Sequence, residues 1–212
     1  MRQILYLLIL VFSTTLSFGQ KKKTDDYFLK SSTVSGLKFR LVGPAKTSGR
    51  VADIAVHPDN QDVWYIAAAS GGVWKTTNHG TTFNPIFDGQ GSYSIGCVTL
   101  APSNPNIVWV GTGENNNQRS VAYGDGVYKS MDGGKTFTNM GLKESEHIGK
   151  IIVHPTNENI VWVAVYGPLW SKGGERGVYK STDGGKTWIK TLEISEHTGI
   201  AEIAIDPTDP NT

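Results

Sequence analysis

The sequence predicts an all-β fold: a β-propeller of four-stranded blades, of which the chain holds about three and a quarter. Three observations predict it. A glycine-rich turn recurs as Thr76-Thr77-Asn78-His79-Gly80-Thr81-Thr82-Phe83, Ser130-Met131-Asp132-Gly133-Gly134-Lys135-Thr136-Phe137 and Ser181-Thr182-Asp183-Gly184-Gly185-Lys186-Thr187-Trp188, in steps of 54 and 51 residues. A strand ending in X-Pro recurs at Pro58, Pro102, Pro155 and Pro207, with spacings of 44, 53 and 52 residues. Ahead of each proline, large aliphatic residues alternate with small or polar ones, which is the period of a strand. Four short strands repeating at about 50 residues make one propeller blade.

The elements follow in chain order. Residues 1–19 combine Arg2, an apolar run from Ile4 to Phe12 and small residues at Ser17 and Gly19. This is the pattern of a secretory signal peptide, cleaved after Gly19. The run is too short to span a bilayer, so the mature chain is expected to be secreted or cell-surface, with no membrane span. Residues 20–36, with Lys21-Lys22-Lys23, read as a flexible leader. The propeller occupies 37–212, with blades at about 47–91, 92–142 and 143–194 and the start of a fourth at 195–212.

In each blade the first strand leads into X-Pro: 51–56, 95–100, 148–153 and 200–205. The second strand, at 63–67, 107–111 and 160–165, is expected to put Trp64, Trp109 and Trp162 at one shared place. The third covers 72–76, 126–130 and 177–181, and the fourth begins at the aromatic residue after the glycine-rich turn. A closed propeller typically needs more blades than these. The expectation is therefore a fragment whose first partners are the remaining blades of the same polypeptide.

Composition narrows the function. Charged residues are 18% of 212, the formal charge is +1, and lysines and arginines are scattered. That excludes a nucleic-acid binder, which needs a basic stripe. Cys97 is the only cysteine and has no partner in the chain for a disulfide.

The turn motif reads as structural. Its residues are Thr76, Asn78, Gly80 and Phe83, then Ser130, Asp132, Gly134 and Phe137, then Ser181, Asp183, Gly185 and Trp188. Ser and Asp side chains bond the turn's own backbone, glycines take positive φ, and the aromatic residue enters the space between blades. A calcium site would need five or more oxygen ligands close together, and one Asp per turn does not supply them. No metal and no cofactor is expected.

Ser-x-Asp-x-Gly-x-Thr-Trp resembles the Asp-box, the bacterial neuraminidase repeat of sialidases, xyloglucanase-type glycoside hydrolases and the sortilin propeller. Gly49-Arg50-Val51, Gly71-Gly72-Val73-Trp74-Lys75-Thr76-Thr77-Asn78, Gly111-Thr112-Gly113-Glu114-Asn115 and Gly177-Val178-Tyr179-Lys180-Ser181 resemble secreted bacterial sortilin-like, or "glycosyl hydrolase", repeat proteins. The resemblance covers 39–212 and implies the fold; one fold hosts many functions.

Loops alternate between the two propeller faces. The box turns and X-Pro turns share one; the long, varied loops share the other, the better place for a site. Glu114, Asn115, Arg119 and Tyr123 lie in one such loop, and Trp170 and Arg176 in another. A Ser-Glu-His triplet places His147 and His197 in the connections, and Arg50 opens an innermost strand. Glu114 with Arg119 reads as a polar clamp or as loop-organising bonds, Trp170 as a stacking platform or a cap on a neighbouring blade. His147 and His197 lack a third ligand at zinc spacing.

The resemblance implies two functions. The first is a binding module for an extracellular glycan or peptide, like sortilin. The alternative is a glycoside hydrolase, sialidase- or xyloglucanase-like, on extracellular polysaccharide. Hydrolysis usually needs two carboxyls about 5–10 Å apart, or a Tyr nucleophile in sialidases. The sequence departs from both signatures. Phe39-Arg40-Leu41-Val42 lacks the proline of the sialidase arginine motif, and Ala68-Ala69-Ser70 carries no carboxylate before Gly71-Gly72, where xyloglucanases have one.

Overall fold

The computed structural model describes residue 33, residues 35–37, 49–116, 121–206 and 208–210. The predicted signal peptide, almost all of the leader, Arg40 and Arg119 lie outside the described residues. Contacts divide the chain into a unit at Met1–Val42 and a second at Gly43–Thr212, and the second carries every described strand.

Among the described residues twelve strands form three four-stranded antiparallel sheets. Blade one holds β1 (Val51–Val56), β2 (Trp64–Ala68), β3 (Gly72–Thr76) and β4 (Asn84–Pro85). Blade two holds β5 (Ile95–Ala101), β6 (Asn104–Thr112), β7 (Val127–Ser130) and β8 (Thr138–Asn139). Blade three holds β9 (Ile148–His154), β10 (Asn157–Val165), β11 (Gly177–Ser181) and β12 (Ile189–Leu192). Each sheet is a meander with its strands in chain order. This is the all-β propeller-blade architecture that the repeats predict.

Three details differ from the sequence reading. The fourth strands begin one residue after the aromatic; in blades two and three Phe137 and Trp188 pack against the inter-blade cores instead of joining the ladder. Residues 200–205 form no strand. Every other first strand bonds to the second strand of its own blade, and no described strand pairs with 200–205. Third, Trp64 does not occupy the place of Trp109 and Trp162. Trp109 pairs with Lys129 and Trp162 with Lys180, whereas Lys75 pairs with Tyr65. Tyr65 is therefore the true counterpart, and Trp64, one residue earlier, faces its own box turn. Side chains alternate between sheet faces, so a one-residue offset changes sides.

The core lies between blades. Tyr65, Val73, Phe87, Val98, Val108 and Tyr128 fill the layer between blades one and two. Cys97, Trp109, Val127, Ile151, Val163 and Tyr179 fill the layer between blades two and three. On the first strands the alternation decides which residues enter. Val98 and Leu100 of β5 and Ile151 and Val153 of β9 are buried, while Ile54 and Val56 on the outer flank of blade one are exposed. The intervening positions tie first strands to each other. Asp53 accepts a bond from Val98 N at 3.2 Å, and Thr99 Oγ1 donates to Ile151 O at 2.9 Å.

The box turns are built alike. Asp132 Oδ1 accepts from Thr136 N at 2.9 Å and Asp183 Oδ1 from Thr187 N at 3.0 Å. Ser130 Oγ and Ser181 Oγ each bond their Asp and receive the N–H of Gly134 or Gly185, at 2.8 Å in every case. These bonds hold both Asp carboxyls well below the usual carboxylate range, the Thr hydroxyl first, then the Thr N–H and the Ser hydroxyl. In blade one Asn78 takes the Asp role, accepting from Thr82 N at 2.9 Å. Gly133, Gly134, Gly184 and Gly185 all have φ between +70° and +92°, a region costly for residues with a Cβ.

Candidate functional site

The first strands of the blades start on the long-loop face. A cleft of about 270 Å³ opens there, lined among others by Arg50, Glu114, Asn115, Asn116, Tyr166 and Glu202. Arg50 sits just before β1, Glu114 two residues after β6, and Tyr166 one residue after β10. Each side chain therefore sits where a strand enters or leaves the same face. Glu202 lies in the segment after Ile200, whose N–H bonds Val165 O at 3.0 Å.

Arg50 and Glu114 form the centre. Arg50 Nε donates to Glu114 Oε1 at 2.8 Å, and Arg50 Nη2 donates to the same oxygen. Glu114 is buried (1% exposed), while the Arg50 side chain is 45% exposed. The guanidinium thus compensates a carboxylate out of water while keeping a face toward the cleft. Gly113 makes this possible. A Cβ there would come within 1.8 Å of Glu146 O, and its φ is +82°. The Glu114 N–H donates to Ser94 Oγ at 2.9 Å, and Ser94 Oγ donates to Ala122 O at 2.8 Å. Asn115 Nδ2 reaches Gly149 O at 3.2 Å, tying the loop to β9.

Behind Glu114 stands a buried polar nest. Among the described residues, Glu114 Oε2, Ser145 Oγ and both ring nitrogens of His147 are buried without a hydrogen bond. Burial pushes the His147 imidazole below its ordinary value, against the opposing pull of the Glu114 backbone and carboxylate. Its ring lies 5.6 Å from that of Tyr123.

A second, open groove of about 530 Å³ lies beside the first and shares Tyr166; Trp170, Lys172, Arg176 and His197 line it. Trp170 is 65% exposed. His197 pairs with Glu196 at 3.3 Å. Arg176 is buried and bonds the carbonyls of Tyr166, Pro168, Ser171 and Gly173. Its guanidinium organises the loop that carries Trp170.

The sequence-predicted residues thus fall into two neighbouring groups. Arg50, Glu114 and Asn115 meet in the cleft, and Trp170, Arg176 and His197 meet in the groove. His147 stands behind Glu114 in the interior, Tyr123 is exposed beside it, and Arg119 lies outside the described residues. The partner the structure gives Glu114 is Arg50, 64 residues away. Sequence reading missed Glu202 and Tyr166 as cleft residues. Glu202 had a signal: it stands five residues before Pro207, as Asp53, Cys97 and Lys150 stand five before theirs. Among the described residues, no group of three or more His, Cys, Asp or Glu is placed to hold a metal. Among them, no helix is long and apolar enough to cross a membrane.

Three meandering sheets with inter-blade cores and matching box turns make up a β-propeller fold. The comparisons with known proteins agree. The chain is 28% identical over 177 residues to a xyloglucanase of Hypocrea jecorina, covering 77% of this chain and 20% of that protein. A solved ancestral GH74 enzyme matches with a TM-score of 0.59 at 22% identity, over 78% of this chain and 21% of that one. The GH74 enzyme of Niastella koreensis matches at 0.50 and 26% identity, over 64% and 20%. An auxiliary nutrient binding protein from Bacteroides thetaiotaomicron matches at 0.51 and 14% identity, over 76% and 34%, which speaks for the fold alone. The chain spans about a fifth of the length of the xyloglucanase and GH74 relatives. No protein-family model matches the sequence.

Proposed function

We propose that this chain forms part of a glycoside-hydrolase-type propeller acting on an extracellular polysaccharide, a β-glucan of the xyloglucan kind. The observation that carries the reading is the likeness to the Hypocrea jecorina xyloglucanase over 77% of the chain. The hydrolase alternative of the sequence reading is thereby favoured over the sortilin-like one. The cleft supplies suitable chemistry. Arg50 and the Asn115 and Asn116 amides donate to sugar hydroxyls, Tyr166 offers a ring, and Glu202 offers an exposed carboxyl. In this reading Glu202 gives its proton to the glycosidic oxygen, and buried Glu114 fixes the Arg50 guanidinium at the cleft. Export through residues 1–19 brings the protein to its substrate.

One observation favours a second reading, glycan retention without turnover. Ala69 lines the cleft, and Ala68-Ala69-Ser70 brings no carboxylate to it. The test is a polysaccharide-hydrolysis and glycan-binding screen with xyloglucan and other β-glucans. Glu202→Gln, Glu114→Gln and Arg119→Ala run beside the parent. Released sugar that disappears in Glu202→Gln supports hydrolysis in this cleft. Retained glycan without release supports the binding reading. No response to any glycan in either assay refutes both.

A further inference from the structure

The three blades share one entry position on the loop face. Eight residues before Pro58, Pro102 and Pro155 stand Arg50, Ser94 and His147, each just ahead of its first strand. Their carbonyls make the same bond. Arg50 O accepts from Ala69 N at 2.8 Å, Ser94 O from Gly113 N at 2.7 Å and His147 O from Tyr166 N at 3.0 Å. Their side chains address one residue, Glu114. Arg50 Nε donates to Glu114 Oε1 at 2.8 Å, and Ser94 Oγ accepts the Glu114 N–H at 2.9 Å. His147 lies against the same loop, since a Cβ on Gly113 would meet His147 Cα at 2.8 Å. Its imidazole feels both the Glu114 backbone and the Glu114 carboxylate.

The backbone is strained to bring His147 there. The His147 N–H bonds Ser145 O at 2.5 Å across Glu146, whose φ is +53° and ψ −43°. This is a γ-turn with positive φ, a rare and strained conformation for a residue with a Cβ. Such outliers persist where the surroundings hold them, and they gather at functional sites. The second Ser-Glu-His triplet is placed differently. Ser195-Glu196-His197 sits two residues earlier relative to its proline, so Gly199 stands at the place of His147. His197 is exposed there and pairs with Glu196. The same three residues serve the surface in one copy and the interior in the other.

Arg50 leaves Glu114 Oε2 unused. That oxygen, Ser145 Oγ and both ring nitrogens of His147 are buried without a hydrogen bond among the described residues. Glu114 is 1% exposed, and Ser145 and His147 are 0% exposed. Their chemistry is complementary. A carboxylate oxygen accepts, a hydroxyl donates and accepts, and a neutral imidazole donates from one nitrogen and accepts at the other. A buried water with two to four such partners satisfies them together. We propose that Ser145 and His147 hold a buried water that donates to Glu114 Oε2, and that His147 is thereby a positioning residue for the Arg50–Glu114 pair. Glu114 is then held on both carboxylate oxygens, and the Arg50 guanidinium keeps one orientation toward the cleft. The role of Arg50 toward a glycan rests on the reading above; the network behind Glu114 does not.

Side-chain nitrogen NMR of the full chain tests the network without any glycan. In the parent, Arg50 Nε–H should give a slowly exchanging signal and the His147 imidazole a single neutral tautomer. His147→Leu, which removes donor and acceptor, should move the Arg50 signal toward that of a free arginine. His147→Gln, which keeps one of each, should retain it. Ser145→Ala should shift the His147 ring signal, and it serves where His147→Leu does not fold. Glycan retention is read beside the spectra. His147→Leu should weaken it by about ten-fold or more, and His147→Gln should stay within about three-fold of the parent. A parent that retains no glycan while the Arg50 signal still follows His147 removes the glycan reading and supports the network. An Arg50 signal identical in the parent and in every folded variant overturns the proposal, and so does a charged or two-tautomer His147 in the parent.

Discussion

The two faces of the blade array are built on opposite plans. On the box face the same bonds occur blade after blade: Asp or Asn accepting from the turn's Thr N–H, and Ser or Thr from a glycine N–H; in blades one and two a Lys over an aromatic ring also reaches the next turn. On the loop face the side-chain bonds differ from blade to blade. Arg50 pairs with Glu114 in one place, Arg176 knots a loop in another, and the His147 ring stands unpaired in a third. Repetition marks what every blade needs in order to stack, and chemistry collects where the blades are free to differ.

The largest expected break lies in the repeated part. Trp109 is fully buried and seats the blade-three turn, so Trp109→Ala should cost about 3–5 kcal/mol in chemical denaturation. Gly185→Ala drives a Cβ into the same ring at a positive φ and should cost about 2–4 kcal/mol. On the other face, Arg50→Ala leaves the buried Glu114 carboxyl without its guanidinium, at a cost of about 1–3 kcal/mol. The same variant should lose glycan response, and Arg50→Lys should restore stability better than response, because a point charge does not reproduce the fork.

Acid should separate the faces more gently. The Asp132 and Asp183 carboxyls are held below their ordinary value in the fold, so they take up protons more readily when it is unfolded. Their contribution is complete above the unfolded carboxylate pKa of about 4 and is lost as pH falls through the lower folded value. Melting temperature of the parent should therefore drop in this acid range. The Asp132→Asn, Asp183→Asn double variant should show a flatter profile there; an identical slope would show that the box carboxyls do not carry the acid sensitivity. The smallest effect concerns Cys97, whose thiol burial pushes up to about 12. It should stay unreactive toward a thiol reagent at mild alkaline pH until the blades open.

What was legible in the sequence follows the same division. Box turns and X-Pro strands repeat, so their periods placed all twelve described strands to within a residue or a few at the ends, and added one at 200–205 that does not form. The offset of Trp64 was hidden because only cross-strand register distinguishes it from Tyr65. The segment 200–205 has the right alternation, yet a strand also needs a neighbour, which alternation does not report. Loop-face residues were found by their chemistry, and their partners were not. Arg50 and Glu114 meet only because blades one and two stack, and Glu202 joins them only because the segment after blade three returns to the same end. Long-range pairings of unlike loops leave no period to read.

The central claim is that the loop face carries the glycan site and the box face carries the fold. The most direct test measures polysaccharide binding and release for Arg50→Ala and Asp183→Ala side by side, with melting curves for both. The account predicts that Asp183→Ala lowers stability and leaves the glycan response intact, whereas Arg50→Ala abolishes the response in protein that is still folded. A folded Asp183→Ala variant that has lost the response, beside an Arg50→Ala variant that keeps it, would contradict the account.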